Sequence, residues 1–144
     1  MSRMLASVGI VGSEEAKFTV ITEATARMSI RISLRGKTTL ISGACHLGGI
    51  DIWAVEEARK LGIKVIEFKP AKLNWDGYKA RNIQIANRAD KVVCITVRKL
   101  PPGYRGMRFP LCYHCKTTNH IKSGGCWTAW YARKLGKPME VIAI

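Results

Sequence analysis

Short β-rich runs alternate along this chain with longer segments whose apolar residues recur at helical spacing. Ser7-Val8-Gly9-Ile10-Val11 reads as a first strand, closed by Gly12-Ser13. A helix is expected over residues 18–34, with Phe18, Ile21, Ala24 and Met28 as its apolar positions. Thr38-Thr39-Leu40-Ile41-Ser42 makes a second strand. Ile50, Trp53, Ala54, Ala58 and Leu61 then share one helical face, and Gly62 stands where a left-handed helix terminus favours glycine. A third strand covers 64–68 and stops before Pro70, and a looser stretch with Trp75-Asp76-Gly77 leads into a helix over about 78–88. Residues 91–96 form strand four, 98–122 read as irregular, a helix opens at Ser123-Gly124-Gly125 and runs to about Leu135, and 140–144 form strand five.

Repeated strand and helix imply right-handed crossovers and a parallel sheet covered on both faces. The expected fold is α/β: a Rossmann-like three-layer sandwich around a mostly parallel five-stranded sheet. With 144 residues the chain suits one domain over 1–144, carrying an insertion at about 98–126. A chain of this length buries roughly two-thirds of its unfolded surface, so folding does not depend on disulfides. No apolar stretch is long enough to cross a bilayer. The opening residues 1–6 lack the apolar core and small-residue cleavage site of a secretory signal, which makes the cytoplasm the expected compartment.

Charge departs from the ordinary globular pattern. There are 24 Lys and Arg against 10 Asp and Glu, a net +14. The excess is concentrated, because no acidic residue lies between Asp90 and Glu140, a span holding Arg98, Lys99, Arg105, Arg108, Lys116 and Lys122 among others. Such a field attracts anions, whether nucleotide, nucleic acid or protein, while many of the individual lysines serve only as solvated surface.

In open parallel sheets ligands bind outside the carboxyl ends of the strands. The loops there are Gly12-Ser13, the stretch Ser42-Gly43-Ala44-Cys45-His46-Leu47-Gly48-Gly49-Ile50-Asp51, and Ser123-Gly124-Gly125-Cys126-Trp127-Thr128 before the last helix. Glycines at these places let backbone N–H groups approach an anion, and a helix N-terminus favours negative charge. Glycines after strands also simply make turns. Two such loops on one sheet edge suggest a phosphate site.

These residues resemble a family. Gly9-Ile10-Val11-Gly12-Ser13, Ser42-Gly43-Ala44 with Gly48-Gly49-Ile50-Asp51, Arg81-Asn82 opening a helix that ends Arg88-Ala89-Asp90, and Ser123-Gly124-Gly125 with Thr128 look like the SMF/DprA and LOG (SLOG) superfamily. The resemblance spans nearly the whole chain and is to small stand-alone members. It implies a Rossmann-like fold that binds nucleotides, nucleotide-derived signals or, in the DprA branch, single-stranded DNA. Carried over by position, Gly12, Ser13, Gly43, Gly48, Gly49, Asp51, Arg81, Asn82, Ser123, Gly124, Gly125 and Thr128 would line the ligand crevice. LOG-type phosphoribohydrolases carry a PGGxGTxxE motif with a catalytic Glu; laid on it, this sequence has Trp127 at the third glycine and Tyr131 at the Glu. A tyrosine cannot do a carboxylate's work on a cationic sugar near neutral pH. Binding survives that exchange better than hydrolysis, with Glu14, Glu15 and Asp51 as substitute acids if a reaction persists.

A second constellation is Cys112-x2-Cys115-x4-His120-x5-Cys126. A close Cys pair followed by His and Cys can close a tetrahedral structural zinc site, and the run resembles a zinc knuckle with a last spacer one residue longer than usual. A redox CxxC and buried unligated cysteines are the competing readings, and His114 is a reserve for Cys126 as the fourth ligand. Cys94 reads as core, while Cys45 and His46 sit in the other glycine loop. Trp53, Trp127 and Trp130 are expected to pack on the sheet, Trp75 and Tyr78 to cover a nucleobase, and Tyr104 and Tyr113 to offer stacking surface to single-stranded nucleic acid. The sequence thus points to a nucleotide or phosphoribosyl ligand beside a structural zinc. The alternatives are a phosphoribohydrolase with rearranged acids and a single-stranded nucleic-acid-binding module; self-association is a further possibility.

Overall fold

The computed structural model describes residues 6–144. The N-terminal stretch used above to judge the compartment lies largely outside them, at residues 1–5. Five strands, β1 (Ser7–Gly12), β2 (Thr39–Ser42), β3 (Lys64–Glu67), β4 (Lys91–Thr96) and β5 (Met139–Ala143), form one sheet in the order β3-β2-β1-β4-β5. Every pairing is parallel. The strand order reverses between β1 and β4, which places a crevice at their carboxyl ends.

Alternation along the strands sorts the core into two layers. Val8, Ile10, Leu40, Val93 and Ile95 face α1 (Val20–Leu34) and α2 (Ile50–Lys60). Val11, Ile41, Val92 and Cys94 face α3 (Trp75–Arg88) and α4 (Gly124–Lys134). The expected Rossmann-like three-layer α/β sandwich is the fold of the chain. No helix among the described residues is long and apolar enough to cross a membrane.

Three local expectations are corrected. The first helix starts at Val20, because Thr19 and Thr22 form a reciprocal capping box, and Phe18 lies before it, edge-on to Trp53. Its buried face is Ala26, Ile30 and Leu34, while Ile21 and Met28 are 78% and 57% exposed. Apolar residues occupy both sides of this helix, so spacing alone did not select the inner one. Leu61, expected on the inner face of α2, is the C-cap residue and is exposed, with Gly62 at φ +71° as anticipated. The Trp75-Asp76-Gly77 stretch is the first turn of α3: Asn74 Oδ1 accepts the Gly77 N–H at 2.9 Å, and a Cβ on Gly77 would overlap the Lys72 carbonyl.

Tryptophans divide differently from expectation. Trp53 is core, but Trp127 stacks on Tyr131 at 5.3 Å and meets Trp75 edge-on at 5.6 Å, filling the α3/α4 seam instead of the sheet face. Trp130 is exposed, under the Lys134 ammonium.

Between α1 and α2 sits a buried carboxylate. Glu57 receives Arg27 at 2.8 Å, Arg31 at 2.9 Å and Lys60 at 3.4 Å. Burial disfavours its charge, yet the two guanidiniums and the ammonium together hold it below the usual carboxylate range. Glu57→Ala is expected to destabilise the protein by about 3 kcal/mol, the low end for breaking a buried pair, since the arginines keep contact with water. Because the folded-state pKa is depressed, this contribution is present above the unfolded value near 4 and is lost as pH falls through the folded one. Urea titrations of wild type and variant at pH 7 and pH 3 check it: the gap should narrow in acid.

Candidate functional site: a cavity at the sheet edge and a Cys/His cluster beside it

The crevice at the strand-order reversal opens as a cavity of about 410 Å³. Gly12, Ser13, Asp51, Arg81, Asn82, Ser123, Gly124, Gly125 and Thr128 line it, as do Trp75 and Tyr78. β1 delivers Gly12-Ser13 to its floor, where a Cβ on Gly12 would overlap the Ile95 carbonyl of β4. Ser13 Oγ is 2.7 Å from Thr96 Oγ1, whose own hydroxyl also reaches the Ile121 carbonyl at 2.7 Å.

Gly43, Gly48 and Gly49 do not line the cavity and instead shape its wall. The Gly43 carbonyl accepts a hydrogen bond from the Arg81 guanidinium, and a Cβ there would stand 2.9 Å from Asp51 Oδ2. Gly48 and Gly49 adopt φ of +74° and +83°, and the bare Gly49 allows the start of α2 to dock on the Ser13 backbone, with Ile50 N–H to Ser13 O at 3.1 Å.

Ser123 caps α4, its Oγ accepting the Gly125 N–H at 3.0 Å. The first turn of α4 holds no acidic residue. A Cβ on Gly124 would meet nothing within 4 Å, so the helix end is open there. One turn in, Thr128 lines the cavity, and its buried Oγ1 lacks a hydrogen-bond partner. A buried hydroxyl without a partner is uncommon in a folded chain.

Asp51 and Arg81 make the polar side. Asp51 is 6% exposed, its Oδ2 accepts the Cys45 N–H at 3.2 Å, and burial pushes its carboxyl up to about 6 against the opposing pull of Arg81. Arg81 also donates to Asn82 Oδ1 at 2.8 Å and lies over the Tyr78 ring. With a raised folded-state pKa the folded protein binds the proton more tightly, so stability falls as pH rises from the unfolded value to the folded one. The stability Asp51 supplies is fully present below the unfolded value near 4 and is lost as pH rises through about 6. Asp51→Asn, which keeps the acceptor for Cys45, is therefore expected to stabilise the protein by up to about 3 kcal/mol at pH 8 and by little at pH 4. Thermal melts of both proteins across that range measure it.

Several cavity residues escaped the sequence reading. Lys17 is 9% exposed and sends its ammonium to the Lys122 carbonyl at 3.1 Å; burial lowers its pKa, with Glu14 acting in the other direction. It sits at the end of a short 3-10 turn, Glu15–Lys17, which no apolar period announces. The insertion contributes Tyr104, Gly106, Met107, Phe109 and Lys122 to the lining. Tyr104 donates its hydroxyl to Glu14 at 3.4 Å. Tyr113 packs on Phe109 and His114 and does not itself line the cavity. Tyr131, where the resemblance puts a catalytic Glu, is not a lining residue either.

Behind the α4 end, the ligand atoms of Cys112, Cys115, His120 and Cys126 all lie within 4.8 Å of one another. His114 is outside this group. A tight turn brings the first pair together: Cys112 and Thr117 form a two-residue bridge, Lys116 N–H reaches the Cys112 carbonyl, and Lys116 takes φ +58° to close it. His120 Nδ1 is 2.6 Å from Asn119 Oδ1, a contact that fixes the tautomer and turns the Nε2 lone pair toward Cys126 Sγ, 3.7 Å away. That separation suits an edge of a tetrahedron built from bonds of about 2.0–2.3 Å. Adjacent Cys94, 3.8 Å distant, and burial raise the Cys126 thiol; burial and then the neighbouring thiols raise that of Cys115. A dication among them reverses this balance by stabilising thiolate. The cluster can hold a metal ion.

Cys126 follows Gly125 directly, so one residue of α4 joins the cluster to the cavity floor. Cys45 and His46 line the cavity separately from the cluster. No family model and no curated protein matches the sequence.

Proposed function

We propose that this chain binds a nucleotide or nucleotide-derived, phosphoribosyl-containing ligand in the edge cavity, beside a structural zinc. The observation that carries the reading is the buried, unpartnered Thr128 hydroxyl lining a cavity into which the acid-free N-terminus of α4 opens. A bound phosphate accepts from that hydroxyl and from the helix end together. Trp75 and Tyr78 supply an aromatic wall for a base, and the cavity volume suits a ligand of mononucleotide size.

Zinc is the metal that three cysteines and one histidine favour. With four protein ligands it keeps no open position for water, so its role is to hold the insertion, and with it the Tyr104 and Phe109 wall, against α4. Native mass spectrometry of protein purified without chelators tests both halves. The expected mass is that of the chain plus one zinc and, in a fraction of molecules, a phosphorylated small molecule. Bare chain under gentle conditions, together with no stabilisation by any nucleotide, counts against the proposal.

A phosphoribohydrolase reading has one specific support, the Asp51 carboxyl pushed up to about 6 on the cavity wall, a suitable range for a general acid. Release of free base from a panel of nucleoside monophosphates, abolished in Asp51→Asn, distinguishes it from binding alone.

A further inference from the structure

The Lys17 end of the cavity contains a nearly buried ammonium whose hydrogen-bonding neighbour among the described residues is neutral. Lys17 Nζ donates to one backbone carbonyl, that of Lys122, and no carboxylate lies within ion-pair distance of it among the described residues. Its charged surroundings are mixed. The Lys122 ammonium acts against its charge, and the N-terminus of α4 carries no acidic residue. Glu14 is the nearby counter-charge, and its carboxylate is engaged by the Tyr104 hydroxyl. A buried cation in such a setting is costly unless an anion joins it. The orphaned Thr128 hydroxyl lines the same cavity.

We infer that Lys17 is the side-chain cation of an end-on site for a terminal phosphate monoester, completed by the N-terminus of α4 and Thr128. The inference rests on the nucleotide reading above and adds to it the kind of phosphate and the residue that selects it. A monoester carries up to two negative charges and three free oxygens, enough to meet an ammonium, a hydroxyl and a helix end at once. An internal phosphodiester brings one charge and two free oxygens, and its chain must leave the site in two directions. Tyr104, Met107 and Phe109 from the insertion line the same cavity as Lys17 and bound the space a continuing strand would need. This geometry favours a mononucleotide over an internal position of a nucleic-acid strand.

The test measures binding of AMP, adenosine, the dinucleoside monophosphate ApA and inorganic phosphate by calorimetry, for the metal-loaded wild type, Lys17→Met and Lys17→Arg. AMP should bind wild type most tightly and lose roughly 10-fold to 100-fold in Lys17→Met, the range for a hydrogen bond to a charged group. Adenosine, which makes no use of the ammonium, should change less than about twofold between the two proteins, and Lys17→Arg should recover part of the AMP affinity. A second readout uses wild type alone. Inorganic phosphate should protect Lys17 from acetylation, mapped by mass spectrometry, while exposed lysines such as Lys134 stay reactive. Equal AMP affinity in Lys17→Met, or acetylation of Lys17 unaffected by saturating phosphate, overturns the role of Lys17 and leaves the nucleotide reading standing. If ApA matches AMP on wild type, the monoester selectivity is wrong. If neither AMP nor phosphate binds wild type, the reading beneath the inference fails as well.

Discussion

Stripping the metal, or replacing Cys112 or Cys115 with Ser, is expected to produce the largest loss of stability of any change in this protein. Losing a structural metal belongs with destabilisations above about 4 kcal/mol, which at roughly 2–4 °C per kcal/mol lowers the melting temperature by about 8–16 °C. The reason lies in what else holds the insertion. Between β4 and α4 the chain has no helix or strand, only a two-residue bridge at Cys112 and Thr117 and scattered backbone bonds such as Ile121 N–H to Val97 O. Three of the four clustered residues come from this segment and the fourth, Cys126, from the first turn of α4. Binding metal and ordering the segment are therefore one equilibrium. Elemental analysis should find about one zinc per chain, and limited proteolysis after chelation should cut within 98–122. Cys45→Ser, in a different loop, serves as the control and should leave metal content unchanged. A melting temperature that stays put after complete metal removal would make the cluster peripheral, and carefully prepared protein free of zinc and iron would remove the site.

The same contrast explains what could be read from the chain before its structure. The five strands are short apolar runs cut off by Gly, Pro or polar residues, so Ser7–Gly12 and Lys91–Thr96 announce themselves locally. The Cys/His group is legible for the same reason, since its spacing within fifteen positions is a local property. The face of α1 is not, because Ile21 and Met28 on one side rival Ala26, Ile30 and Leu34 on the other. Which side turns inward depends on Thr19 capping and on Arg27 and Arg31 reaching Glu57, a residue thirty positions from Arg27 that would pass for surface charge. Lys17 fails to show for a related reason. Its ammonium is met by the carbonyl of a lysine 105 positions away, which arrives with the insertion. The glycine loops were legible as loops but not in their division of labour: Gly12, Gly124 and Gly125 line the cavity, whereas Gly48 and Gly49 serve backbone shape.

Gly124→Asp is expected to abolish stabilisation by phosphorylated ligands while leaving the unliganded protein as stable as wild type or slightly more so. Gly124 is the first residue of α4, and a Cβ there points into open space, so a side chain fits without disturbing the fold. An aspartate at that place complements the helix dipole by about 0.3–1 kcal/mol. The carboxylate then occupies the region a phosphate needs and repels it. In wild type, a purine nucleoside monophosphate at about 100 times its Kd should add about 2.7 kcal/mol, a rise in melting temperature of roughly 5–11 °C. In Gly124→Asp the rise should vanish. Gly124→Ala separates charge from bulk: it adds a methyl group without charge and should keep most of the ligand-induced rise. Gly125 offers no such test, since a Cβ there would stand 2.8 Å from the Gly12 nitrogen and 3.0 Å from Cys94 Sγ, and any substitution would push α4 off the sheet. Should Gly124→Asp respond to the nucleotide as wild type does, the phosphate does not sit at the α4 end; should alanine abolish the response as fully as aspartate, the effect is steric and the electrostatic account of the site is wrong.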